Sequence, residues 1–387
     1  MLHVFLVFLR LGCISFGGPI AHLGYFQDEF VRRRQWLSAN EYAELVALCQ
    51  FIPGPASSQV GAAIGFKRCG YVGALAAWLG FTLPSALILG LAGAALFNLQ
   101  DALLFALIDG LKLVAIAIVA QAVWTMQKSL CTGFKSRLIA LLSVLILLLL
   151  PATYIQLLVI VAAGFIGFLL TVQGPDTPTR CKGYIATPSI LLLSLFTLLL
   201  LFPLVLVPES NTLVTLVDSF YRAGALVFGG GHVVLPLLHA EFVQTAMLND
   251  DQFLVGYGLA QAVPGPLFSF ATYIGAVTSP NTPILAATIA TVAIFLPGML
   301  LLFALLPIWQ SVRQISAVRG ILTGINASVV GILAAVLINP LATAGIQTWH
   351  DGVTVVIVLL GLVRFKLHPL WAIALCLCFT LGRHLIS

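Results

Sequence analysis

Long apolar runs separated by short polar breaks fill the chain from one end to the other. Crossing the hydrocarbon of a bilayer takes about 20 apolar residues in a helix. Runs of that kind fall near 72–97, 101–127, 152–171, 189–207, 284–307, 315–341 and 369–385, with shorter ones at 137–150 and 352–365. No alternation of period two interrupts them. The pattern predicts an all-α polytopic integral membrane protein whose surroundings are the lipid bilayer.

The pattern also repeats. Residues 8–31, FLRLGCISFGGPIAHLGYFQDEFV, align without a gap on 220–243, FYRAGALVFGGGHVVLPLLHAEFV, with ten identities in 24 positions. After a one-residue shift LCQFIPGPASS (48–58) aligns on LAQAVPGPLFS (259–269), and farther on GLKLVAIAIVA (110–120) on GINASVVGILA (324–334) and Pro151 on Pro369. Two homologous units follow: 1–172, then a polar loop with a joining helix over 173–210, then 211–387. An even number of crossings per unit plus one joining helix places the second unit upside down, an inverted repeat. The apolar start, MLHVFLVFLRLG, recurs in mid-chain and carries Arg10 after its apolar run, so it reads as part of the fold and not as a leader.

Each unit opens with a helix broken at Gly-Gly and a second broken at Pro-Gly-Pro. Two arrangements are open for these segments: full spans, or hairpins that enter the membrane and return. The charges favour hairpins. With hairpins, Arg32, Arg33, Arg34, Lys67, Arg68, Lys128, Lys135, Arg137, Arg180, Lys182, Arg313, Arg319, Arg364 and Lys366 share one side, fourteen of the 18 Lys and Arg residues. The positive-inside rule makes that side cytoplasmic. The opposite loops carry Glu209, Asp250, Asp251 and Asp351.

Composition agrees, with 60% hydrophobic and 8% charged residues, and the net charge of +5 belongs to these loops, so no nucleic-acid partner is expected. Seven scattered cysteines fit neither a disulfide framework nor a metal site, and neither a metal nor a cofactor is expected.

Irregular backbone survives in hydrocarbon only where protein or a polar cavity satisfies it. Gly17-Gly18-Pro19, Pro53-Gly54-Pro55, Gly229-Gly230-Gly231 and Pro264-Gly265-Pro266 are four such breaks in two matched pairs. The half-helix after each break presents free N–H groups and a positive dipole end, which suits an anion. Gln50 and Gln261, Ser57, Ser58 and Ser269 lie beside the breaks as hydrogen-bond donors, or equally as caps. Arg10 and Arg222 occupy equivalent positions just before the Gly-Gly breaks; each is a candidate for direct anion contact or for a structural bond to the repeated carboxylates Glu29 and Glu241. Asp109 and Lys112, three apart on one helix and without charged counterparts in the second unit, read as a mutually satisfied pair or a coupling site, and Glu29 and Glu241 are further coupling candidates. His22, His232 and His239 have no histidine partners in the repeat and read as interface packing.

FLRLGCISFGGPIAHLGYF, QFIPGPASSQ, FGGGHVVLPLL and QAVPGPLF together resemble the signature segments of the chromate ion transporter family, in its long two-unit form. The resemblance implies a secondary transporter that expels chromate from the cytoplasm, with sulfate as the expected competitor. It also implies a multi-pass location in the cell membrane, the inner membrane in a Gram-negative-type bacterium. The broken helices of the two units suggest alternating access around a site near the bilayer midplane where they converge; a carrier of sulfate or another oxyanion, a passive anion channel, and a homo-oligomer remain open at this point. An enzyme is not expected, since no nucleophile motif, nucleotide loop or metal cluster is present. The units have diverged: Met247 stands for Trp36, Gln252 for Glu41 and Gly231 for Pro19.

Overall fold

The computed structural model describes residues 1–95, 102–150, 153–171, 187–201, 212–228, 231–312 and 315–386, and every regular element among them is helical. The first unit comprises α1 (Leu2–Ile14), α2 (Gly18–Phe26, running on into a wide turn Gln27–Arg33), α3 (Ala39–Phe51), α4 (Ala56–Ala95), α5 (Ala102–Leu130), α6 (Phe134–Leu149) and α7 (Thr153–Thr171). The joining helix is α8 (Thr187–Leu201). The second unit comprises α9 (Thr212–Ala225), α10 (Val234–Phe242), α11 (Asp250–Ala262), α12 (Phe270–Thr278), α13 (Pro283–Leu305), α14 (Ser316–Val336), α15 (Trp349–Arg364) and α16 (Pro369–Ile386).

The broken segments are hairpins. At 13 residues α1 is about 20 Å long, short of the roughly 30 Å of hydrocarbon. The chain reverses after it: the Phe8 ring lies 5.6 Å from Phe26 and 4.9 Å from Phe30, and His3 Nε2 lies 3.1 Å from Arg34 Nη1 at the open end. The second unit repeats the device, with Phe220 4.6 Å from Phe242 at the positions equivalent to Phe8 and Phe30. The Pro-Gly-Pro segments reverse as well, as Lys67 reaches Glu41 at 2.9 Å and the Tyr273 hydroxyl donates to the Gln252 carbonyl at 3.0 Å.

Each second hairpin starts from a capping box. Ser38 and Glu41 exchange bonds at the head of α3, and Asn249 and Gln252 do so at the equivalent head of α11. The exposed Glu41 carboxyl is held down to about 2, by the Ser38 N–H first and then by Lys67.

The two units are inverted. α4 folds back at Cys69 and Gly70, so that Gly65 and Gly73 meet backbone to backbone, and its long arm (71–95) then crosses about 37 Å. The arm starts at the open ends of the first-unit hairpins, where Tyr71 packs on Phe66. It passes α1 at Gly80 and Phe81, and finishes where Gly93 meets Tyr273 and Ala276 of the second-unit hairpins. α13 runs the opposite way, from Ala286 against Gly275, past Gly224 at Ile294, to Phe303 against Phe66 and Tyr71. One helix therefore begins at one set of open ends and finishes at the other, so the hairpins enter from opposite faces and their tips meet halfway. Small residues allow these approaches. A Cβ on Gly12 would sit 2.7 Å from the Phe81 carbonyl oxygen, and the equivalent Gly224 lies against the Ile294 carbonyl.

Among the described residues five helical stretches are long and apolar enough to cross: 56–95 (through its long arm), 108–130, 154–171, 283–308 and 316–345. The short segments over 137–150 and 352–365 are α6 and α15, of 16 residues each, about 24 Å and short of the roughly 30 Å of hydrocarbon.

The topology is testable with single cysteines in a cysteine-free background. Arg33→Cys and Lys135→Cys are expected to react with an impermeant thiol reagent from the cytoplasmic face and Thr245→Cys only from the other; reaction of positions 33 and 245 from the same face would refute the inversion.

Candidate functional site

Backbone geometry shapes the hairpin tips. After α1, Ser15 is extended, and Gly17 and Gly18 take φ of +95° and +77°, a pair of left-handed residues that side chains would strain. Gly54 and Gly265 take φ of +117° and +114° between their prolines. These turns aim one N–H of each Pro-Gly-Pro loop at the other unit. The Gly54 N–H donates to the Val227 carbonyl at 2.8 Å, and the Gly265 N–H donates to the Ser15 carbonyl at 2.9 Å. Gly54 is equivalent to Gly265 and Ser15 to Val227, so one bond is the symmetry copy of the other. The Gly-Gly breaks also face each other: a Cβ on Gly231 would lie 2.9 Å from Pro19 Cγ, and one on Gly18 3.9 Å from His232 Nε2.

Polar side chains surround this meeting point. His22, fully buried, has Nε2 3.2 Å from the Ser15 carbonyl and Nδ1 3.3 Å from Ser57 Oγ. A carbonyl only accepts, so Nε2 carries the proton and Nδ1 accepts from Ser57. Gln59 Nε2 donates to the carbonyls of Pro53 and Gly298, at 2.9 and 3.0 Å, and so ties its own tip to α13. Ser85 and Ser269 hydroxyls are 2.7 Å apart, and His232 Nδ1 is 2.8 Å from the Tyr257 hydroxyl.

Several buried groups here have no protein partner: the hydroxyls of Ser15 and Ser58, the Nε2 amide of Gln261 and Oε1 of Gln59. An unpaired buried polar group costs about 1–3 kcal/mol. The first three are donors. The half-helices α2, α10 and the turn leading into α12 start without side-chain caps, which leaves their N–H groups and dipole ends facing the same region. Donors without acceptors, gathered where helix N-termini meet, can hold an anion. Among the described residues no cluster of metal-ligating side chains occurs.

Of the residues singled out in the sequence, Gly17, Gly18, Pro53, Gly54, Pro55, Ser57, Ser58, Gln261, Pro264, Gly265, Pro266 and Ser269 lie on the tips or on the turns next to them. Gly229 and Gly230 lie outside the described residues. Gln50 is exposed on the last turn of α3, whereas Gln261 is half-buried. Arg10 is exposed, on the face of α1 that also exposes Leu6 and Ile14 and away from Phe8 and Leu11. Arg222 instead bonds Asp218 at 2.9 Å and Glu241 at 3.0 Å. Glu29 bonds Arg34 at 2.6 Å and Arg33 at 3.3 Å, so the two carboxylates are engaged by different arginines.

Lys112, nearly buried, is closer to Asp251 of α11 (2.7 Å) than to Asp109 (3.5 Å). The local pair is thus part of a network between units, extended by Arg383 to Asp109 and Asp351. Sequence reasoning missed Ser15, Ser85, Asp218 and Tyr257, which have no polar counterpart in the repeat, and placed His22 and His232 in passive packing. Position is a signal for Ser15, two residues before Gly17, and for Ser85, next to the mid-helix Pro84; Asp218 and Tyr257 lie inside helices and carry none.

The tips give a direct test. Gly54→Ala and Gly265→Ala would each place a Cβ 2.9 Å from Gly298 Cα or 2.7 Å from Ser85 Oγ at a left-handed backbone position. Each is expected to weaken anion binding at the tips about fivefold or more, from strain of roughly 1–3 kcal/mol, while the protein still inserts; binding within twofold of the parent in both would contradict the assignment.

The chromate transporter family model matches residues 2–168 and 214–381, one match in each unit. The chain is 27% identical to an uncharacterised transporter of Methanocaldococcus jannaschii, over 97% of this chain and 92% of that protein. It is 29% identical to a probable chromate transport protein of Synechococcus elongatus, over 92% and 87%, and 25% identical to a chromate transport protein of Pseudomonas aeruginosa, over 95% and 92%. No solved structure matches it. With both units matched and most of the chain covered, this multi-pass membrane protein belongs to the chromate transporter family.

Proposed function

We propose that the protein exports chromate from the cytoplasm by alternating access, holding the dianion where the four hairpin tips meet. The oxyanion suits the site's chemistry, since its oxygens accept hydrogen bonds and the tips supply donors and helix N-termini. Chromate in particular rests on the named relatives. Sulfate, of the same shape and charge, is the expected competitor.

The observation that carries alternating access is an asymmetry between equivalent surfaces. On α11, Leu254 and Gly258 are buried against the first unit, and a Cβ on Gly258 would sit 2.7 Å from the Leu111 carbonyl oxygen. Their equivalents on α3, Ala43 and Ala47, are exposed together with Gln50. The second-unit hairpins are closed onto α5 by this packing and by Lys112–Asp251, while the first-unit hairpins stand open on the basic face. By the inverted symmetry, closing the basic face and parting Lys112 from Asp251 would produce the outward-open counterpart. The present arrangement is thus the state open to the cytoplasm.

Flux into sealed proteoliposomes, with pH gradient and voltage imposed separately, tests the proposal. Saturable chromate movement against its concentration gradient, inhibited by sulfate, is expected. Non-saturating movement that only follows the gradient would replace the carrier with a channel.

A further inference from the structure

The loop between α15 and α16 faces the side of the basic loops, as the sequence predicts, but helix length stops it short of that surface. Arg383 near the end of α16 bonds Asp351 in the first turn of α15 at 2.9 Å, which fixes that end of the pair at the acidic face. From Arg383 back to Pro369 is 14 residues, about 21 Å of helix. The long arm of α4 spans about 37 Å, so the α15–α16 loop reaches roughly the depth of the hairpin tips. The His368 ring indeed lies 5.9 Å from Phe16, the residue before Gly17.

This loop carries Arg364, Lys366 and His368, and all five residues from Arg364 to His368 are exposed. Neither Arg364 nor Lys366 has an ion-pair partner among the described residues. Irregular backbone and free cations at this depth are tolerated only against water, and the exposure of all five residues fits a loop that water reaches from the basic face. The loop also holds Lys366 against its backbone preference. The Leu367 N–H donates to the Gly361 carbonyl at 3.1 Å, closing the helix end with Lys366 at φ +52°, a left-handed position that glycine would occupy without strain. The equivalent positions of the first unit, aligned through Pro151 and Pro369, are Ile146, Leu148 and Leu150. The outer route therefore lacks these charges.

We propose that Arg364 and Lys366, with His368 beside the first Gly-Gly tip, form a capture site for dianionic oxyanions entering from the cytoplasm, and that its absence from the first unit makes the two access routes electrostatically unequal. The assignment rests on the export reading above. Cations at the floor of a cavity with low-dielectric walls raise the local concentration of an anion by tenfold or more. They act on arrival and not on the exchange between open states.

The test uses the full-length protein in oriented proteoliposomes with chromate offered from one face at a time. Arg364→Gln combined with Lys366→Gln is expected to raise the apparent KM from the cytoplasmic face about tenfold, with a smaller change in maximal rate and no change in KM from the opposite face. Arg364→Lys with Lys366→Arg should restore the parent value. An unchanged cytoplasmic-face KM, or an equal rise from both faces, would overturn the capture site, whereas a parent protein that moves no chromate would overturn the export reading instead. If the double variant is inactive, Lys366→Cys in a cysteine-free background decides. A cytoplasmic impermeant thiol reagent should label it, more slowly with chromate present; labelling unaffected by chromate would count against the proposal.

Discussion

Two backbone hydrogen bonds between units, from the Gly54 N–H to the Val227 carbonyl and from the Gly265 N–H to the Ser15 carbonyl, are the constraint around which the rest of the molecule is arranged. In water such a pair would be worth little, because each group could bond solvent instead. At the depth where hairpin tips meet, an unpaired amide or carbonyl is expensive, so each unit completes the backbone of the other. A single copy of the unit would leave its tips unsatisfied. The reciprocity also requires inversion, since tips that point in the same direction cannot meet end to end.

Other features follow from that meeting. The glycines at positive φ aim the N–H groups; the prolines end one half-helix and start the next; Gly12 and Gly224 let α1 and α9 lie against α4 and α13 closely enough to bring the tips into register. The backbone bonds leave other donors without a protein partner, the hydroxyls of Ser15 and Ser58 and the amide of Gln261, beside the uncapped helix N-termini. In the proposed reading, binding and assembly are built from the same turns.

Much of this was legible in the sequence because it depends on backbone. Gly-Gly and Pro-Gly-Pro recur at matched spacing, and runs of 20 apolar residues and clusters of arginine mark spans and faces without any knowledge of packing. Side-chain partners were less legible. Arg10 and Arg222 are equivalent by alignment, yet only Arg222 finds carboxylates, because Asp218 has Leu6 as its counterpart. Helical spacing pairs Lys112 with Asp109, but the tertiary fold brings Asp251 closer. His22 and His232 lack repeat partners, and only the folded tips show that each bonds a hydroxyl there.

Symmetry in sequence and asymmetry in burial together support the proposed alternating access. Equivalent faces of α3 and α11 have the same register but opposite fates, one open and one packed on α5, and a carrier needs them to trade places. The most direct measurement is therefore paired labelling of Ala43→Cys and Leu254→Cys, each alone in a cysteine-free background, in sealed membranes. At rest, position 43 should react with a cytoplasmic thiol reagent and position 254, which is buried, should not react from the outside; with chromate on both sides, position 254 should gain outside reactivity as position 43 loses it. Reactivities that stay fixed whether or not substrate is present would contradict the account.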